Sequence, residues 1–267
     1  MSEIHPTSAV EKGARLAASV KIGPFCHIGA DVNLGERVEL ASHIAVSGHT
    51  TIGEGTRIFP FASIGHQPQD LKYKGEASRL VIGRDNIIRE HVTMNTGTEG
   101  GGMVTRVGDG CLFMVGVHVV HDCIIGNGVI MANNAGLAGH VMVGDFAVFG
   151  VLSAVHQYVR IGQFAMVDGV TGVERDVIPY CSVMGNRARL SGLNIVGMQE
   201  HGFSRKEILA LRQAYQLLFE GGNGTFAERL EDLAKRFSGI RPVDDVLAFI
   251  RAESPRGITQ PNAGNGG

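Results

Sequence analysis

Apolar residues recur every six positions from the start of the chain. Ile4, Val10, Leu16, Ile22, Ile28, Leu34, Leu40, Val46, Ile52, Ile58 and Ile64 follow one another without a miss. The frame returns at Ile82, Ile88 and Met94. Displaced by one residue, it then runs through Val107, Phe113, Val119, Ile125, Met131, Leu137, Val143, Phe149, Val155, Ile161, Val167, Val173 and Pro179. Of these 27 hexads, 26 open on an apolar residue other than proline. A period of six suits neither an α-helix, whose apolar stripe repeats at 3.6, nor a plain alternating strand. It suits a short strand that buries two side chains and then turns a corner. The fifth position agrees, being small or β-branched at Ala14, Val20, Val32, Val38, Val92, Val129 and Val141. The pattern predicts an all-β solenoid, a parallel β-helix with three hexads to each triangular coil. Nine such coils would stack to about 43 Å at a strand spacing of ~4.8 Å.

Two stretches break the period. Asp70 and Glu76 stand where apolar residues are due, so residues 66–80 are expected to leave the solenoid as a loop, and the Gly-rich residues 95–106 as a second. Loops on a rigid scaffold are common places for function. The period ends near Gly185, which sets a repeat domain over 1–185 and a helical domain over 186–255. Ser204 with Glu207 and Thr225 with Glu228 are spaced as capping boxes that start two helices, and a third helix is expected after Pro242. Residues 256–267 are expected to be an unstructured tail.

Composition sharpens this picture. The 267 residues include 38 glycines and no tryptophan. Many glycines take the second hexad position (Gly23, Gly29, Gly35, Gly53, Gly126, Gly162), which predicts a left-handed backbone at the corners. Cys26, Cys111 and Cys123 take the fifth position and read as small core residues, and no CxxC pair points to zinc or redox chemistry. A net charge of −2 leaves no global footprint for nucleic acid or an anionic membrane. There is neither a signal-like N-terminus nor a transmembrane-length apolar run, so a cytoplasmic chain is expected.

In such a solenoid, residues 18 apart stack in successive coils. The hexads opening at Val119, Leu137 and Val155 therefore share one face, and they carry His121, His140 and His156, with His118 just before the first. Asp122 is expected beneath His140, and Gly139 above His121. Two chemistries suit this edge. The histidines could hold zinc, as in trimeric carbonic anhydrases of this fold, but the local pair is HxxH where those enzymes have HxxxxH. Alternatively His121 could act as a general base oriented by Asp122, with the Gly139 N–H stabilising an oxyanion, which requires no metal or other cofactor. A β-helix without chemistry is the third reading.

The segments QDLKYKGE (69–76), HVVHDCIIGN (118–127), NNAGLAGHV (133–141), AVHQY (154–158) and GFSRKEI (202–208) resemble the UDP-N-acetylglucosamine acyltransferases over nearly the whole chain. The resemblance implies a left-handed β-helix and a homotrimer with sites between subunits. It implies transfer of an (R)-3-hydroxyacyl group from acyl carrier protein to the sugar 3-hydroxyl of UDP-N-acetylglucosamine, the first step of lipid A biosynthesis. By motif, His121 is the base, Asp122 its partner and Gly139 the oxyanion donor. Asp70 and Lys72 would lie near the reacting groups, and His118, His140, His156 and Gln157 would line the site. Asn194 would bind the nucleotide, and Gly169 would leave room for a long acyl chain. Arg205, Lys206 and Arg212 are candidates for docking the acidic carrier protein. Glu200 and His201 depart from the family's basic pair, and Asn95 and Thr96 from its His-Arg, which leaves a 3-amino sugar nucleotide open as the acceptor. The N-acyltransferases of the same pathway place a uridine-binding domain before their hexads, whereas here hexads begin at Ile4.

Overall fold

The structure, a computed structural model, describes residues 2–220 and 224–261. Its repeat region is a triangular parallel β-helix. Consecutive short strands such as Lys21–Ile22, His27–Ile28 and Asn33–Leu34 fall on three different faces, and each pairs in parallel with its counterpart in the next coil: Lys21 with Glu39, His27 with Ala45 and Asn33 with Thr51. The result is three sheets of eleven, nine and eight strands, here the first, second and third. Strands end on the apolar first position of each hexad. That side chain and the one at the fifth position point inward, so Val20, Ile22, Cys26, Ile28, Val32 and Leu34 form one continuous stacked core. The four cysteines are all buried. Desolvation pushes the Cys111 thiol up to about 11 and that of Cys123 to about 12.

The corner glycines have a different cause from the expected one. The left-handed backbone falls at the fourth hexad position, where glycines such as Gly55 (φ 70°) and Gly116 (72°) adopt it but so do many other residues: Phe25 (59°), His43 (53°), Phe61 (65°), Asp122 (61°) and His140 (62°). Most second-position glycines are required by coil stacking instead, Gly29 excepted, where a Cβ would meet nothing nearer than 3.4 Å. A Cβ on Gly35 would lie 2.9 Å from the Glu54 nitrogen, and one on Gly126 would lie 2.8 Å from that of Asp145. Neighbouring coils approach too closely there for any side chain.

Both loops leave the solenoid at the same corner, between the second and third sheets. Arg79 pairs with His49, and Val104 pairs with Arg79. Both separations exceed that of a regular coil such as Lys21 with Glu39, the first by more than the second. Strands Arg79–Ile82 and Val104–Val107 absorb the ends of the expected loops, which narrow to 67–78 and 96–103.

At the C-terminal end the solenoid does not stop at 185. Cys181–Met184 extends the first sheet, and Arg189–Leu193 folds back on it antiparallel, so the expected domain boundary falls inside a hairpin. Four helices come next: α1 (Ile195–Glu200), α2 (Arg205–Phe219), α3 (Phe226–Phe237) and α4 (Arg241–Arg251). Both capping boxes form. The short α1 had no periodic signal. It starts because the Asn194 side chain accepts the Gly197 N–H at 3.0 Å. The first part of the expected tail is ordered, since Thr259 is buried, its N–H donates to the Asp176 carbonyl at 2.7 Å, and Ile258 and Pro261 bridge to Asp176 and Leu190. The reason is that the last coil leaves backbone groups open for pairing. Residues 262–267 of that expectation lie outside the described residues.

Candidate active site

The corner between the second and third sheets carries a column of polar residues. Strand pairing of His118 with Gly136 and of Val119 with Leu137 places Gly139 over His121 and His140 over Asp122. The His140 N–H donates to the His121 carbonyl at 3.1 Å. His121 Nδ1 lies 2.8 Å from Asp122 Oδ2, and both residues are buried. A carboxylate can only accept, so Nδ1 carries the ring proton and Nε2 keeps its lone pair. The pair therefore presents a base at Nε2. The His121 ring packs so closely on Gly139 that a Cβ there would stand 2.5 Å from His121 Cε1 and 2.9 Å from Nε2.

The backbone of the hexad explains why Gly139 can donate. Its third position has no ladder partner for its N–H, and at three other corners a side chain of the next coil fills that role. Arg84 N donates to Asp109 Oδ1 (2.7 Å), Asp109 N to Asn127 Oδ1 (2.9 Å) and Asn127 N to Asp145 Oδ1 (2.7 Å). Gly139 occupies the same position, and its N–H has no acceptor among the described residues, while its carbonyl accepts from Tyr158 N at 3.2 Å. An unfilled donor thus sits beside the base.

The other histidines surround this pair. His140 lies edge-on to His121 (centroids 5.1 Å) and stacks flat on Tyr158 (4.4 Å, 6°). Burial holds its imidazole below the usual range, with the His121 ring acting in the same sense and the carboxylates of Asp122 and Asp70 opposing. His118, half-buried on the second sheet, bonds Thr93 Oγ1 at 2.6 Å and is also pushed down by burial. His156 and Gln157 are exposed one coil further on, and the Gln157 carbonyl accepts from Arg256 Nε at 2.8 Å. Asp70 and Lys72 sit on the first loop, where Lys72 N donates to Asp70 Oδ1 (2.9 Å).

Two expected site residues stand elsewhere in the chain. Gly169 lies between the first and second sheets. Asn194 lies at the corner between the third and first, its amide spent on the Gly197 N–H and on the Phe164 carbonyl (2.9 Å). His201 closes α1 and packs on Phe146 and Phe164, while Glu200 is exposed. Asn95 and Thr96 are buried at the loop roots: Asn95 Nδ2 donates to the Gln67 carbonyl (3.1 Å) and Thr96 Oγ1 accepts from Ser78 (3.0 Å). They brace the loops. His121, Asp122 and His140 each offer one ligand atom within 4.8 Å of the others, a spacing that a divalent cation could span. A cation there would compete with the His121–Asp122 bond for the same carboxylate.

Comparisons with known proteins match this geometry to a family. A model described as UDP N-acetylglucosamine O-acyltransferase, domain 2, matches residues 176–259, and one for the bacterial transferase hexapeptide (six repeats) matches 105–139. The acyl-acyl-carrier-protein–UDP-N-acetylglucosamine O-acyltransferase of Anaeromyxobacter dehalogenans is 47% identical over 257 residues, 96% of this chain and 99% of its own. The chain belongs to this acyltransferase family. The enzyme of the same name from Paracoccus denitrificans is 53% identical over 205 residues, 77% of each chain. A solved UDP-N-acetylglucosamine acyltransferase superposes with a TM-score of 0.93 at 42% identity, covering 98% of this chain and 100% of its own. Another, from Moraxella catarrhalis, gives 0.93 at 40%, covering 96% and 99%. The fold is the left-handed parallel β-helix with a C-terminal helical domain.

Tyr158 and Thr98 also border this site and are not among the residues singled out in the sequence: Tyr158 stacks on His140, and Thr98 donates to the Asp122 carboxylate. Tyr158 takes the place of His140 in the next coil, so the same periodic rule reaches it. Thr98 has no such signal, because it sits on an excursion from the repeat.

Proposed function

We propose that the chain transfers an (R)-3-hydroxyacyl group from acyl carrier protein to the 3-hydroxyl of UDP-N-acetylglucosamine, opening lipid A biosynthesis. The observation that carries the mechanism is the bond from His121 Nδ1 to Asp122 at 2.8 Å, which leaves Nε2 as the acceptor beside the unfilled Gly139 N–H. The sugar O–H gives its proton to Nε2 while its oxygen attacks the thioester carbonyl. The resulting oxyanion takes the Gly139 N–H. Collapse breaks the C–S bond, and the imidazolium returns the proton to the departing thiolate. Asp122 stabilises the charged ring between the two transfers.

The reading includes a cytoplasmic homotrimer. His121, Gly169 and Asn194 stand at three different corners of one triangle, so one chain cannot gather them, and copies packed side by side can. Among the described residues no helix is long and apolar enough to cross a membrane. On α2, Arg205, Lys206 and Arg212 are exposed, and the equally exposed Leu209 shares a face with Arg205 and Arg212, an arrangement suited to an acidic carrier protein.

The test is product formation from UDP-N-acetylglucosamine and hydroxyacyl carrier protein, with and without chelator, for the wild type and His121→Ala. The expected result is an O-acylated product insensitive to chelator and absent with the variant, whose oligomeric state is unchanged. Turnover by His121→Ala would remove the base role, and chelator sensitivity would restore the metal reading.

A further inference from the structure

The Asp122 carboxylate is 1% exposed. A charge so buried is tolerated only when donors converge on it. Beyond His121, both donors come from one residue, Thr98: its N–H reaches Asp122 Oδ1 at 2.9 Å and its hydroxyl reaches Oδ2 at 2.5 Å. Thr98 precedes the 3-10 turn Glu99–Gly101, where a threonine hydroxyl ordinarily caps the turn's own N–H groups. Here the side chain makes no capping bond and is turned onto the carboxylate. The rest of the loop is shaped to the same contact. A Cβ on Gly97 would overlap the Val104 nitrogen and stand 2.8 Å from Asp122 Oδ1, and one on Gly101 would overlap the carboxylate. From the other side, the Asp122 N–H donates to Thr105 Oγ1 at 2.7 Å, which fixes the aspartate backbone.

The same turn is tied to the first loop. Glu99 N donates to Glu76 Oε1 at 3.2 Å, and Glu76 in turn accepts from Lys74 N at 2.8 Å. One short segment thus touches both the catalytic pair and the loop carrying Asp70 and Lys72.

We infer that Thr98 is a positioning residue for the acyl transfer: its paired donors hold the Asp122 carboxylate in the orientation that keeps His121 Nε2 aimed at the acceptor hydroxyl. This rests on the His121–Asp122 reading. Oδ2 is shared by the Thr98 hydroxyl and His121 Nδ1, so the hydroxyl sets where on the carboxylate the imidazole can bond. Without it, the carboxylate can rotate and take the ring with it.

The experiment compares Thr98→Val, which keeps the shape and removes the hydroxyl, with Thr98→Ser, which restores it, beside His121→Ala, Asp122→Asn and the double variant Thr98→Val/Asp122→Asn. For Thr98→Val a loss in kcat of roughly tenfold to a hundredfold is expected, with little change in KM, because a misaligned group costs rate and not affinity. Thr98→Ser should recover most of that loss. The double variant should be no slower than Asp122→Asn alone, since the hydroxyl acts only through the carboxylate. Wild-type kcat in Thr98→Val overturns the assignment, as does a Thr98→Ser as slow as Thr98→Val or a fully additive double variant. If His121→Ala itself keeps turnover, the general-base reading has failed instead, and the two failures are told apart in one assay.

Discussion

Each neighbour of His121 settles one of its properties. Asp122 sets which nitrogen is free, Gly139 sets how closely the ring can lie against the donor N–H, and His140 covers one side of it. The contact with Gly139 is the least forgiving. Gly139→Ala drives a methyl group into the imidazole, so kcat should fall by roughly 10²–10³, the size of losing an oxyanion donor, while circular dichroism stays native; unchanged kcat would show that the ring has room to move. His118 offers a pH test. Burial holds its folded imidazole below its ordinary value, so between that value and about 6.5 the unfolded chain binds more protons, and stability rises with pH across that window. Acidification below about pH 6.5 should therefore lower the melting temperature of the wild type more than that of His118→Gln; equal losses would refute a neutral buried ring. These histidines were legible in the sequence because spacing by 18 converts directly into stacking. Thr98 was not, because no period fixes where a loop folds back.

At the level of elements, the hexads account for every parallel strand up to Gly172–Val173 but not for the hairpin and the first helix beyond it. The hairpin strand Arg189–Leu193 is antiparallel, and α1 is six residues long and begun by a single cap, so neither carries a periodic signal. The second-position glycines stand out in the sequence, but their cause does not. Sequence spacing cannot separate a demand for left-handed backbone from a demand for close approach between coils, and the dihedral angles at Phe25 and His43 decide it. The phase of the hexads carries the shared corner of both insertions, since Ile64 lies in a strand of the second sheet and Ile82 closes one of the third.

Across the whole molecule, the helical domain is pinned to the last coils through Arg160, whose ion pair with the buried Asp176 lies within the solenoid itself. Arg160 Nε donates to Asp176 Oδ2 at 2.8 Å and its Nη2 to the Phe249 carbonyl at 3.2 Å, with the guanidinium 4.4 Å from the Phe249 ring. Tyr180 adds a hydroxyl bond of 2.5 Å to Asp245 of α4. Asp176 is fully buried and its backbone also carries the ordered part of the tail, so Asp176→Ala should cost about 3–5 kcal/mol, measured by urea unfolding. A loss below about 1 kcal/mol would show that the Arg160–Asp176 pair contributes no more than an exposed one. The unfilled third-position N–H has a consequence at this scale too. Third positions not held by proline carry such a donor, and a carboxylate or amide of the next coil takes it at Arg84, Asp109 and Asn127, while at Val115, Asn133 and Gln157, as at Gly139, no acceptor faces it among the described residues. What distinguishes Gly139 is therefore not the free donor but the imidazole packed against it. A second such pairing could therefore be built elsewhere along the axis by addition, with a histidine set one coil below a donor that is already free.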